Sequence, residues 1–172
     1  MLVSTHRHPG LIVKGHRFEV PLNHHDRQGP SISIFVRELL SAQAPQSDAP
    51  YIVYLQGGPG FESRAPLTCS GWIKTALQKY RVLLLDQRGT GNSSPISIQT
   101  LAKTSNPVDQ AEYLSHFRAD SIVKDAEWIR KEMIGDAKWN ILGQSFGGFC
   151  AVHYLSAAPE GLSSVMITGG LP

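Results

Sequence analysis

Cysteine is scarce in this sequence, with Cys69 and Cys150 the two that 172 residues hold. They show no CxxC spacing and stand beside no metal-ligand pattern, which argues against a disulfide-stapled scaffold or a zinc-ribbon site. Two buried thiols in a reducing compartment is the expectation. Strong charge is absent as well. Charged residues make up 17% and the formal net charge is +2, so no field points to nucleic acid or an anionic membrane as a partner. No run nears the roughly 18 consecutive apolar residues of a spanning helix. The N-terminal residues lack the apolar stretch and cleavage site of a secretory leader, and a cytoplasmic location is expected. Nothing repeats internally, and the one low-complexity stretch, residues 41–50, is a short Ala/Pro/Ser/Gln loop.

Apolar residues are plentiful at 41%, enough to bury the core of one domain, and residues 1–172 read as a single unit. Residues 11–22 and 31–39 predict two strands around the turn formers Asn23, Asp26, Gly29 and Pro30, a leading antiparallel hairpin. Tyr51 to Leu55 and Val82 to Leu85 are short apolar runs suited to strands covered on both faces, with a helix over 71–79 between them. Ile122, Ala126, Ile129 and Met133 mark one face of a helix that Asp120 caps and Gly135 ends. A strand over 139–142, a helix over 146–157 and a strand over 164–168 follow. Strand and helix alternating at this spacing predict an α/β fold with a mostly parallel, doubly wound sheet.

Gly143-Gln144-Ser145-Phe146-Gly147 falls between the strand over 139–142 and the helix over 146–157, the context a G-x-S-x-G nucleophile elbow requires. The turn is so sharp that residues two before and two after Ser145 must lack a bulky Cβ, a need Gly143 and Gly147 meet. The helix starting there aims N–H groups and the positive end of its dipole at the place where an oxyanion would form, and Phe146 N–H is the first candidate donor. A second donor is expected from the loop after residues 51–55, where Gln56-Gly57-Gly58-Pro59-Gly60 offers Gly58 N–H; Pro59 stiffens the loop and donates nothing. The plainer reading is a pair of glycine-rich turns with a passive serine.

These segments, together with Asp86-Gln87-Arg88-Gly89-Thr90-Gly91-Asn92-Ser93 and Thr168-Gly169-Gly170-Leu171-Pro172, resemble in order and spacing the prolyl aminopeptidases (proline iminopeptidases) of the α/β-hydrolase fold. The resemblance covers nearly the whole chain and implies that it matches the N-terminal portion of that fold. It implies a serine peptidase that needs no cofactor and takes peptides with an N-terminal proline, with Ser145 attacking the prolyl carbonyl and Gly58 and Phe146 N–H binding the oxyanion. Gln56 departs from the family, many members of which place His there. Gly57, Gly60, Asp86 and Arg88 are read as supporting residues, the last two as an ion pair or loop clamp.

A serine nucleophile needs a base and an acid, which in this fold follow it in the order acid, then His. After Ser145 the chain holds one histidine, His153, and one acid, Glu160, in the wrong order. His153 lies eight residues along the predicted helix, roughly 12 Å away at about 1.5 Å per residue. His6, His8, His16, His24, His25 and His116 all precede the serine. His24-His25-Asp26 supplies too few convergent ligands for a metal and reads as a solvated turn. The resemblance places the missing acid and histidine, and a cap, beyond residue 172. A fragment ending at the cap boundary, inactive alone and leaving an unpaired apolar edge strand prone to association, is therefore expected. An esterase on the same scaffold and a non-catalytic remnant stay open.

Overall fold

A computed structural model describes residues 1–43, 48–103 and 106–170. The low-complexity loop falls partly outside the described residues, as do Leu171 and Pro172. The strands are β1 (Leu2–His8), β2 (Leu11–Pro21), β3 (Ser31–Ser41), β4 (Tyr51–Leu55), β5 (Arg81–Asp86), β6 (Trp139–Gln144) and β7 (Leu162–Thr168). The helices are α1 (Gly71–Ala76), α2 (Ile98–Leu101), α3 (Pro107–Ser115), α4 (Ala119–Ile134) and α5 (Phe146–Ala157). The described strands form one sheet in the order β1-β2-β3-β5-β4-β6-β7. β1, β2, β3 and β5 pair antiparallel, whereas β5, β4, β6 and β7 run parallel. The α/β fold with a leading antiparallel hairpin is thus present, widened by β1, an edge strand that the sequence reading missed because most of its side chains are exposed.

Side-chain alternation divides the core in two. Val53, Leu55, Leu83, Leu85 and Ile141 point to one face and pack under α4 and α5 with Ile122, Ala126, Ile129, Ala151 and Tyr154. Ile52, Val82 and Leu84 point to the other, where Ile73 and Leu77 cover them and Tyr54 and Leu142 pack alongside. The continuous apolar runs of β4 and β5, covered on both faces, and the helical period of α4 therefore state their burial directly. α2 and α3 bury no residue, so they leave no apolar period in the sequence to find.

Two helix ends differ from expectation. α4 starts two residues earlier, with Arg118 rather than Asp120 at its N-cap and no side-chain cap bond; Asp120 sits in the first turn, where its charge faces the positive end of the dipole. α1 is shorter than residues 71–79, since Leu77 closes it and Gln78, Lys79 and Tyr80 continue as turns. β7 lies at the far edge of the sheet, with Met166 and Ile167 exposed.

Candidate active site

β4 and β6 are parallel neighbours paired through Leu55 and Gly143, so the chain turns that follow them emerge side by side. After β6 the chain passes through Ser145 at φ 52° and ψ −117° and enters α5. Ser145 is the one non-glycine with positive φ among the described residues, a conformation that costs on the order of 1–3 kcal/mol and persists only where surroundings enforce it. They do so tightly. A Cβ on Gly147 would come within 1.9 Å of the Leu55 carbonyl oxygen, and one on Gly143 within 2.4 Å of the Gly147 carbonyl oxygen. Ser145 N–H donates to Thr168 O at 3.0 Å, and Ser145 O accepts from Gly148 and Phe149 N–H at 2.8 and 3.2 Å. The serine itself is exposed.

The loop after β4 lies against this turn. A Cβ on Gly57 would stand 3.1 Å from Ser145 Cβ and 3.2 Å from Gln144 O. Gly57 N–H donates to Gln56 Oε1 at 2.9 Å. Gly58 has φ 125° and Gly60 φ 99°, and the Gly58–Pro59 peptide is cis. Gly58 and Phe146 N–H find no protein acceptor among the described residues. For Phe146 that follows from its place in the first turn of α5, whose N–H groups have no carbonyl inside the helix. The loop and the serine turn, far apart in the sequence, thus meet.

Asp86 and Arg88 are both buried, but they do not pair with each other. Asp86 takes Arg37 Nη1 at 2.7 Å and the Ser63 and Asn92 N–H groups, each at 2.9 Å. It thereby ties the chain just beyond Gly60 to the end of β5. Arg88 grips Asp125 of α4 through Nε and Nη2 at 2.7 and 2.6 Å and donates to Leu22, Pro21 and His116 carbonyls. Asp86 thus clamps the chain that follows the oxyanion loop, whereas Arg88 ties α4 to the hairpin and to His116 and makes no bond to residues 56–60, in both cases through partners the sequence reading did not name. An arginine inside the buried β3 run and an aspartate on the buried side of α4 were the available signals for Arg37 and Asp125.

None of the described histidines bonds to Ser145. His153 is half-buried on α5 and lines a cleft of about 700 Å³ with Pro59, Phe117, Phe146 and Phe149. His16 pairs with Glu38 at 2.8 Å. The turn is solvated at His25 and Asp26, but His24 is turned inward: its side chain is 8% exposed and Nε2 lies 2.8 Å from Asp125 Oδ1, beside the Arg88–Asp125 pair. Cys69 likewise differs from expectation, being only half-buried, while Cys150 is fully buried. On the α1 face, Tyr54 hydroxyl reaches Gln56 Oε1 at 2.8 Å and also contacts Gln144. Burial raises its pKa above the usual phenol value. Tyr54 and Gln144 escaped the sequence reading because a strand tyrosine and the variable residue of an elbow carry no pattern of their own.

A family model described as alpha/beta hydrolase fold matches residues 50–172. The chain is 52% identical over 163 residues to a proline iminopeptidase of Aeromonas sobria, covering 94% of this chain and 38% of that protein. A proline iminopeptidase of Aspergillus aculeatus is 45% identical, with 90% and 36% covered. The chain thus spans well under half the length of these curated relatives. Among solved structures, a proline iminopeptidase-related protein from Thermus thermophilus superposes with a TM-score of 0.55 at 20% identity, covering 91% of this chain and 45% of the other. Sheet order, elbow and family match converge: the chain belongs to the alpha/beta hydrolase family and resembles the proline iminopeptidases within it.

Proposed function

We propose that these residues form the nucleophile half of a serine aminopeptidase that releases N-terminal proline from peptides. The observation that carries the reading is Ser145 held at φ 52° between a strand and a helix, with Gly57 seated against it. In the proposed reaction Ser145 Oγ attacks the prolyl carbonyl carbon while its proton passes to a base. The oxyanion accepts from Gly58 and Phe146 N–H, which no protein acceptor occupies among the described residues. The C–N bond then breaks, the amine leaves with the proton returned by the base, and water cleaves the prolyl ester by the same route. These steps use no metal or organic cofactor. The N-terminal-proline substrate is supported by the 52% identity to a protein named proline iminopeptidase. Two free thiols suit a reducing compartment.

Neither His153 nor Glu160 can serve as base and acid in the required order, so residues 1–172 alone are proposed to be inactive. The test compares proline arylamide hydrolysis by the natural full-length polypeptide, by its Ser145→Ala variant, and by residues 1–172. Activity in the first alone supports the reading. Release by residues 1–172 that Ser145→Ala abolishes contradicts their inactivity, and preference for short acyl esters over prolyl amides contradicts the substrate.

A further inference from the structure

Beside the serine turn, the α1 face carries a chain of side chains that the nucleophile reading leaves unused. Tyr54 hydroxyl lies 2.8 Å from Gln56 Oε1 and also contacts the Gln144 carboxamide. A phenol has one proton and can donate to only one of these groups. Gln56 decides which. Its Oε1 already accepts Gly57 N–H at 2.9 Å, and its Nε2 faces the Glu62 carbonyl at 3.4 Å, so it presents oxygen to Tyr54. Gln144 must then present its amide nitrogen, a half-turn of a carboxamide whose two ends only hydrogen bonding tells apart.

We propose that Gln144, Tyr54 and Gln56 form a directed relay, Gln144 Nε2–H to Tyr54 Oη–H to Gln56 Oε1, that makes Tyr54 a positioning residue for the oxyanion loop. The proposal rests on Ser145 being the nucleophile. Gln144 immediately precedes Ser145, and Gln56 immediately precedes Gly57. The β4–β6 pairing ends at Leu55 and Gly143, one residue short of both glutamines, so the relay continues the link where the ladder stops. It also chooses the oxyanion donor. Gln56 Oε1 occupies Gly57 N–H, which leaves Gly58 N–H as the free one of the two successive loop amides. Gln87 Nε2, donating to Gln56 O at 3.0 Å, holds the same residue from β5's side, and Trp72 packs on the Tyr54 ring at 5.2 Å.

Tyr54→Phe keeps the ring against Trp72 and removes the hydroxyl. In the natural full-length polypeptide, kcat for a proline arylamide is expected to fall roughly tenfold with KM little changed, less than the ~10²–10³ lost with an oxyanion donor itself. In the same protein labelled with ¹⁵N-glutamine and ¹⁵N-glycine, the Gln144 side-chain NH₂ signals should shift in Tyr54→Phe. The Gly57 N–H signal should shift as well, since its acceptor Gln56 Oε1 loses the hydroxyl that holds it. An unchanged kcat, or Gln144 NH₂ signals that do not move, overturns the relay. If the wild type releases no proline, the aminopeptidase reading fails, and the amide signals alone decide the relay.

Discussion

Gly57 Cα faces Ser145 so closely that an added methyl would stand 3.1 Å from the serine Cβ. Gly57 is buried and its other close neighbour is the Gln144 carbonyl, which as backbone has little room to yield. Gly57→Ala should therefore push the loop off the serine. In the natural full-length polypeptide kcat is expected to fall by about 10²-fold, the scale that a small displacement of catalytic groups costs. Urea unfolding should show a loss of about 1–3 kcal/mol, as for other overpacked sites.

The Asp86 clamp predicts a larger effect on stability. Removing its carboxylate leaves Arg37, whose side chain is 10% exposed, without its charged partner, and frees the Ser63 and Asn92 N–H groups. Asp86→Ala should cost about 3–5 kcal/mol, the range for breaking a buried ion pair from one side. Asp86→Asn, which keeps an acceptor, should cost less. Denaturant midpoints of the two variants provide the check.

Glu38 predicts a pH dependence. Burial raises its pKa, but hydrogen bonds from His16 and Arg81 outweigh that and hold the carboxyl below its usual 4.5. A carboxylate depressed in the folded state stabilises fully above the unfolded value, and that contribution is lost as pH falls through the folded one. The difference in unfolding midpoint between wild type and Glu38→Gln should therefore be constant at neutral pH and shrink once pH drops below about 4.5. A difference that grows on acidification would contradict the assignment.

The two cysteines should separate chemically. Burial pushes the Cys150 thiol up to about 12, whereas Cys69 is half-buried. Thiolate is the reactive form, so a thiol reagent at pH 8 should modify Cys69 in the native protein and reach Cys150 only on unfolding. Peptide mapping of the labelled sites checks this.

Much of this was legible in the sequence, and the reason is burial. β4 and β5 are continuous apolar runs covered on both faces, α4 carries a helical apolar period, and α5 is set off by the elbow before it and Pro159 after it; the bounds of all four fall within a residue or two of expectation. The elbow was legible because Gly143 and Gly147 answer to steric limits that admit no side chain. β1, α2 and α3 were not, since they bury almost nothing. Nor were the partners of Asp86, Arg88 and His24, because Arg37 and Asp125 are brought to them from 49, 37 and 101 positions away in the chain. Long-range polar pairing leaves no local pattern.

The proposed nucleophilic role of Ser145 requires a covalent prolyl ester on its Oγ during turnover. Acid-quenching the natural full-length polypeptide during hydrolysis of a proline arylamide, then mapping its peptides by mass spectrometry, tests it most directly. A prolyl adduct is expected on the peptide containing Ser145, with both adduct and proline release lost in Ser145→Ala. Proline release that continues in Ser145→Ala, with no adduct at that position in the wild type, would contradict it.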